Sequence, residues 1–135
     1  MTEVTTALAG FAGWTLILAL TMITFRLMNA FGGAKIALNQ FSPGGSDLPG
    51  FGQRITRAHL NCIETLPVFA GLVVAAALAE QLAVMEGTVM YILYARLAQS
   101  LVHVASTAVP MVFLRGGLFT VQVVLMLYYA YQLLM

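Results

Sequence analysis

The sequence has 135 residues, of which 61 % are hydrophobic and only 8 % are charged, and its formal net charge is +1. Its mean hydropathy of +0.92 is far above that of a soluble domain, so the composition indicates an integral membrane protein. The near-neutral charge and the absence of a nucleic-acid-binding motif exclude DNA or RNA as a partner. A single cysteine excludes an internal disulfide framework and a CxxC site.

The first apolar segment predicts a helix over residues 4–38, which is longer than the roughly 20 residues needed to cross a bilayer. We therefore expect this helix to tilt or to protrude. It contains Arg26, for which two roles stay open: pairing with an acid of another helix, or contact with a ligand. Residues 39–52 are rich in glycine and proline and predict a loop, which either connects two helices or reaches over a site.

The second helix is predicted over residues 53–83 and is polar only in its first three turns. Arg57, Asn61 and Glu64 fall on one side of it, and Arg54 lies one turn before them on the same side. We call these four residues the polar stripe. A cation, an amide and an acid along one stripe complement a small ligand that carries both carboxylates and an ammonium group.

The third helix is predicted over residues 88–109, with Pro110 as its end. Its polar side chains share one face, and these are Arg96, Ser100, His103 and Thr107. Arg96 lies about two turns inside the apolar span, so it faces protein or water and not lipid. Its role stays open between ligand contact and pairing with Glu64 or Glu80 of a neighbouring helix.

The fourth helix is predicted over residues 116–134, after a connector over residues 110–115 that ends at Arg115. Four crossings place the loops 39–52 and 110–115 on one side of the membrane and both termini on the other. Lysine and arginine concentrate on the first side and glutamate on the second, so the positive-inside rule predicts that the first side is cytoplasmic. We expect a bacterial inner membrane, with the polar site in its cytoplasmic half.

Metal binding and hydrolysis are poor matches to these residues. His59 and Glu64 are five positions apart on different faces of helix 2, and His103 has no ligand partner at i+4, so we expect no metal site. Ser100 and His103 merely share a helix face, without a nucleophile elbow. What remains is an anion-recognition cavity for a small peptide-like anion, in which a guanidinium also favours a bound thiolate over the thiol.

The sequence RAHLNCIE at residues 57–64, followed by Pro67 and Phe69, resembles the signature of the MAPEG family, the membrane-associated proteins of eicosanoid and glutathione metabolism. The resemblance covers the whole chain, including an arginine inside helix 3 and another before helix 4. It implies a single domain over residues 1–135 that forms a four-helix bundle and assembles as a homotrimer. It also implies glutathione sites between neighbouring subunits, in the cytoplasmic half of the bundle.

The resemblance also implies roles for individual residues. The residues expected at the glutathione site are Arg54, Arg57, His59, Asn61, Glu64 and Arg96. Glu64 would take the ammonium group, and Arg96 and Arg115 match arginines that lie near the peptide carboxylates and the sulfur. His103 stands where several members carry a tyrosine, and Gly116 where one branch carries a serine, so this chain lacks two hydroxyl groups that could donate to the thiolate.

These features predict a glutathione S-transferase or peroxidase that acts on lipophilic electrophiles or lipid hydroperoxides arriving through the membrane lipid. Glutathione is the co-substrate, and Arg115 and His103 are the catalytic candidates. The alternative is a non-catalytic member that binds a lipid or a thiol. A small multidrug transporter is a third possibility, but it requires an acid inside helix 1, where this chain has Arg26.

Overall fold

The computed structural model describes residues 2–31, 50–106 and 108–135. These residues form four α-helices and one short 3-10 helix, without a strand among them. The α-helices are α1 (Glu3–Phe31), α2 (Gly50–Leu78), α3 (Val89–Ala105) and α4 (Val109–Leu134), and the 3-10 helix is Leu82–Val84. Three of them, α1, α2 and α4, are long and apolar enough to cross a membrane, and α3 is a shorter apolar helix. The prediction of an all-α membrane protein is confirmed.

Side-chain hydrogen bonds between helix ends show that α3 runs antiparallel to both α2 and α4. They also show that α1 starts beside the turn between α2 and α3. They join the Arg54 Nε to the Val104 carbonyl (2.6 Å), Thr88 Oγ1 to Tyr129 Oη (2.7 Å) and the Gly87 N–H to Glu3 Oε2 (2.9 Å). The start of α2, the end of α3 and the start of α4 therefore meet at one end of the bundle. This is the arrangement that can bring the polar residues of three helices together.

The apolar core lies mainly between α1, α2 and α3. The Phe11 and Phe69 rings are stacked at a tilt with centroids 5.6 Å apart, and both side chains are fully buried. In α4 only Gln122, Met126 and Tyr129 are buried. The outer position of α4 leaves most of its apolar side chains on the surface.

The second helix begins and ends earlier than predicted, at Gly50 and Leu78 instead of residues 53 and 83. It continues through Pro67. At its end Glu80 has a φ of 57°, and the N–H groups of Gln81 and Glu80 donate to the Ala76 and Ala77 carbonyls at 2.8 Å and 3.2 Å. This pair of bonds is a Schellman motif, which usually has glycine in the left-handed position, so the sequence carries no signal for it.

The fourth helix begins at Val109, seven residues before the predicted start, and α3 ends at Ala105 instead of residue 109. We expected Pro110 to end the third helix and to begin a connector. It lies instead in the first turn of α4, where the N–H that proline lacks would have no partner within the helix. The predicted connector over residues 110–115 is therefore wrong, because Arg115 and the two glycines after it lie within α4. In the apolar interior of a membrane, an unbroken helix satisfies every backbone group, and this outweighs the weak helix propensity of glycine.

Part of the prediction concerns residues outside those described. The expected extension of helix 1 to residue 38, residues 39–49 of the predicted loop and Thr107 all fall there. The last three residues of that loop, 50–52, are helical and belong to α2.

Candidate functional site

A cavity of about 310 Å³ lies between α2, α3 and α4, at the end of the bundle where these helices meet. We call it the polar cleft. Its lining residues are Arg57, Asn61, Gln99, His103, Val112, Arg115, Gly116 and Phe119. Arg57 and Asn61 of α2, like Gln99 and His103 of α3, are four positions apart, so each pair lies on one face of its helix. Four of the sequence-predicted site residues are thus brought together: Arg57, Asn61, His103 and Arg115.

The polar cleft has the electrostatic character of an anion site. Two guanidinium groups, those of Arg57 and Arg115, face it, and its lining includes no carboxylate among the described residues. An arginine side chain offers only N–H donors, in a planar arrangement that matches a carboxylate. The cleft therefore favours a ligand rich in acceptors and negative charge.

His103 contributes a buried imidazole to this cleft. Only 7 % of the residue is exposed, and its Nδ1 atom has no hydrogen-bond partner among the described residues. A buried polar atom without a partner costs free energy. A ligand or water in the cleft would supply that partner.

Gln99 is a lining residue whose importance the sequence did not indicate. It sits one turn before His103 on α3, and its Oε1 accepts a 2.8 Å hydrogen bond from Nε2 of Gln122 on α4. The sequence did not predict a role for Gln122, because a single amide in a long apolar helix does not indicate which residue it contacts. Two glutamines in adjacent apolar helices were the only signal available, and that signal does not say that they touch.

Arg54 lies outside the cleft, although it shares the polar stripe. Its Nε donates to the Val104 carbonyl in the last turn of α3. Carbonyl groups at a helix C-terminus lack partners within the helix and carry partial negative charge, which a cation complements. Arg54 thus ties the start of α2 to the end of α3, close to His103.

Arg96 is also outside the cleft. It is fully buried inside the bundle, where its Nη2 donates to Thr65 Oγ1 at 2.7 Å and its guanidinium carbon lies 5.2 Å from the centroid of the Phe11 ring. The Sγ atom of Cys62 and the Oγ atom of Ser100 lie 3.6 Å apart in the same interior. Arg96 thereby joins α3 to α1 and α2.

The two remaining predicted site residues, His59 and Glu64, do not line the cleft either. His59 is half-buried on another face of α2, and its Nδ1 is unpartnered within the part of the chain that the structure describes. Glu64 is exposed, one turn beyond Asn61 on the polar stripe. Among the described residues, no group of three or more histidine, cysteine or acidic side chains could hold a metal ion.

An apolar groove of about 310 Å³ adjoins the polar cleft. It lies between α2 and α4, and its lining residues are Thr65, Val68, Leu72, Phe119, Val123, Met126, Leu127 and Ala130. Phe119 lines both cavities, so one side chain stands between a cationic site and an apolar one. The pair of cavities can accommodate two ligands of opposite polarity side by side.

A comparison with protein-family models matches residues 4–135 to the model described as the MAPEG family. No curated protein and no solved structure shows a significant match to the chain.

Proposed function

This chain belongs to the MAPEG family, and from that premise we propose that its polar cleft binds glutathione for a transferase or peroxidase reaction on lipophilic electrophiles or lipid hydroperoxides. The observation that carries the proposal is the convergence of two guanidiniums, two amides and an imidazole from three helices, next to an apolar groove. A tripeptide with two carboxylates matches the first cavity, and a lipophilic molecule matches the second.

The binding roles follow from the donors and acceptors of each side chain. Arg57 and Arg115 bind the carboxylates of glutathione or its sulfur, because a guanidinium forms short charge-assisted hydrogen bonds to anionic groups. The amides of Asn61 and Gln99 bind its peptide groups. All four side chains line the same cleft.

Glu64 binds the ammonium group of glutathione, and for this the site needs a second subunit. Within one chain Glu64 is exposed and outside the cleft, although it lies on the same side of α2 as Asn61. We therefore propose a homotrimer in which a neighbouring subunit covers this side of α2 and completes the site.

Arg115, with His103 one helix away, stabilises the ionised sulfur. A guanidinium beside a thiol favours the thiolate, which is the nucleophilic form. When the sulfur attacks an electrophilic carbon, a C–S bond forms and the leaving group departs with the electron pair. When it attacks a hydroperoxide, the O–O bond breaks, the distal oxygen is transferred to sulfur and an alcohol is released, and a second glutathione thiol then displaces water to give the disulfide. The apolar groove holds the second substrate near the sulfur, which raises its effective concentration.

One observation favours the alternative of a non-catalytic binding protein. Among the described residues, none that lines the cleft carries a hydroxyl group. His103 and Gly116 occupy the positions at which the family resemblance implies a tyrosine or a serine in other members. A thiolate in this cleft is therefore stabilised by N–H donors, such as those of Arg115, and not by a hydroxyl group. The lipid or thiol would then be held without being transformed.

The test is calorimetric titration of the detergent-purified protein with glutathione, in the parent and in the Arg57→Ala and Glu64→Gln variants. Each substitution should weaken binding about tenfold or more, as expected for a lost hydrogen bond between charged groups. Glu86→Gln is the matched control, because Glu86 is an exposed acid in the turn at the far end of the bundle.

Activity assays then separate the two candidate functions. Turnover of a lipophilic electrophile or hydroperoxide by a protein that binds glutathione supports the enzyme. Binding without turnover supports the non-catalytic alternative. A well-folded parent protein that binds no glutathione contradicts both the site and the enzyme proposal.

A further inference from the structure

We propose that Gln122, which does not line the polar cleft, is a positioning residue that turns the Gln99 amide so that its N–H donors face the ligand. The inference rests on the proposed function, since it explains how the same cleft selects an anion. It concerns Gln99 on α3, which lines the cleft, and Gln122 on α4, which is buried behind it.

The orientation of the Gln122 amide is determined by its own helix. Its Nε2 donates to the Leu118 carbonyl at 3.2 Å and to Gln99 Oε1 at 2.8 Å. A backbone carbonyl only accepts hydrogen bonds. If the amide were reversed, Oε1 would face the Leu118 carbonyl oxygen, and two acceptors would repel each other in a low-dielectric interior. Gln122 is fully buried, so water cannot relieve that repulsion.

The orientation of Gln99 follows from that of Gln122. Because Gln122 presents a donor to Gln99, the Oε1 atom of Gln99 must face Gln122 and accept the hydrogen bond. The Nε2 group of Gln99 then points away from Gln122. Gln99 is 2 % exposed and lines the cleft, and its one hydrogen bond among the described residues is made by Oε1. Its two N–H donors are therefore available to a molecule in the cleft, and leaving them unsatisfied would cost free energy.

This orientation decides the sign of the dipole that Gln99 presents to the cleft it shares with Arg57 and Arg115. With Nε2 toward the cavity, Gln99 adds to the donors of Arg57 and Arg115, and all three attract a carboxylate or a thiolate. With Oε1 toward the cavity, the same residue would repel an anion. Gln122 thus contributes to anion selectivity without contacting the ligand.

The experiment is a double-mutant cycle with glutathione binding to the detergent-purified protein as the readout. The variants are Gln99→Met, Gln122→Met and the double variant, because methionine keeps the length of the side chain and removes its hydrogen bonds. Gln132→Met is the matched control, since Gln132 is an exposed glutamine of the same helix. We expect Gln99→Met and Gln122→Met each to weaken binding about tenfold, and the double variant to bind no more weakly than Gln99→Met.

Two results overturn the inference and leave the proposed function intact: Gln122→Met binding like Gln132→Met, or the effects of the two substitutions multiplying in the double variant. The second would show that Gln122 does not act through Gln99. Failure of the parent protein to bind glutathione, by contrast, overturns the proposed function and this inference with it.

A measurement that needs no change at Gln122 covers the case in which Gln122→Met does not fold. In the parent protein labelled with ¹⁵N-glutamine, the side-chain amide signals of Gln99, identified by their absence in Gln99→Met, should shift when glutathione is added. The Gln132 signals should not shift. A Gln99 signal that stays in place at saturating glutathione contradicts the proposal.

Discussion

Thr65 connects the buried arginine of this bundle to the backbone of α2. Its hydroxyl accepts the hydrogen bond from Arg96 at 2.7 Å and donates to the Asn61 carbonyl at 3.0 Å. Arg96 is fully buried, and its Nε has no hydrogen-bond partner among the described residues. The contact with Thr65 and the ring of Phe11 are therefore two of the interactions that offset the cost of removing this cation from water.

We predict that Thr65→Val lowers the free energy of unfolding by about 1–3 kcal/mol, the cost of leaving a buried donor unsatisfied. Valine has nearly the same shape as threonine, so packing is preserved while the acceptor is lost. Thermal unfolding in detergent measures the change. Glutathione affinity should change much less than in Arg57→Ala, because Arg96 does not line the cleft.

Thr120→Val is the control for this prediction. Thr120 also donates to the carbonyl four residues before it, that of Gly116 at 2.8 Å. It is exposed, and no arginine among the described residues donates a hydrogen bond to it. Equal destabilisation by the two substitutions would show that the contact between Thr65 and Arg96 contributes nothing to stability.

At the scale of the helices, α4 shows how a membrane environment changes the meaning of turn residues. Pro110 and the pair Gly116 and Gly117 would mark a connector in a soluble protein, and all three lie within one helix from Val109 to Leu134. The proline is in the first turn, where it is tolerated. The glycines have the helical hydrogen bonds that an apolar surrounding demands.

We predict opposite effects for alanine at two exposed glycines. Gly117→Ala should raise the stability by about 0.5–1 kcal/mol, because Gly117 is inside a helix and alanine loses less backbone entropy there. Gly87→Ala should lower it by roughly 1–2 kcal/mol, because Gly87 has a φ of 86°, a conformation unfavourable for residues with a side chain.

Neither substitution meets a steric obstacle in the part of the chain that the structure describes. Apart from the adjoining backbone, no heavy atom there lies within 4 Å of the added Cβ at either position. We therefore expect differences in the unfolding temperature to reflect the backbone conformation at each glycine. A loss of stability in Gly117→Ala would show that α4 is not continuous at this point and would favour the connector predicted from the sequence.

The helical period explains how much of the site was predictable at this scale. Arg57 and Asn61 were placed on one face of α2 by their i, i+4 spacing, and both line the cleft. Arg54 lies on the same side one turn earlier, but it faces the end of α3 and not the cavity. Its side chain therefore donates to the Val104 carbonyl and does not line the cleft. The period tells which residues share a face but not which neighbour covers each part of that face.

The whole molecule presents apolar side chains over much of its outer surface. Phe113, Val124 and Leu127 of α4 are 77 %, 57 % and 64 % exposed. Such a surface in one chain is compatible with lipid or with neighbouring subunits, and not with water. We propose an inner-membrane protein in which the end that holds the polar cleft faces the cytoplasm. Among the described residues, Arg54, Arg57 and Arg115 lie toward that end and Glu3 and Glu86 lie at the other.

The sidedness can be tested with cysteines placed at the two ends of the bundle. In right-side-out cells or spheroplasts, a membrane-impermeant maleimide should label Glu86→Cys and not Ala108→Cys, and in inverted membrane vesicles the pattern should reverse. Both positions are exposed. The reverse pattern would place the cleft on the outer side and exclude access by cytoplasmic glutathione.

The parent protein serves as the control for this labelling. Its one cysteine, Cys62, is fully buried, so the folded protein should not react, whereas the denatured protein should. The native cysteine therefore does not have to be removed before new ones are introduced.

The sequence by itself determined the membrane class, the helical architecture and the family, because apolar length and a local signature are properties of short segments. It also placed Arg57 and Asn61 together, since one helix turn joins them. Only the tertiary structure decided that Arg96 lies within the bundle, that Arg54 binds the end of α3 and that Gln122 donates a hydrogen bond to Gln99. Those assignments depend on which faces of different helices meet, and the packing of whole helices selects them, not the spacing of residues along any one of them.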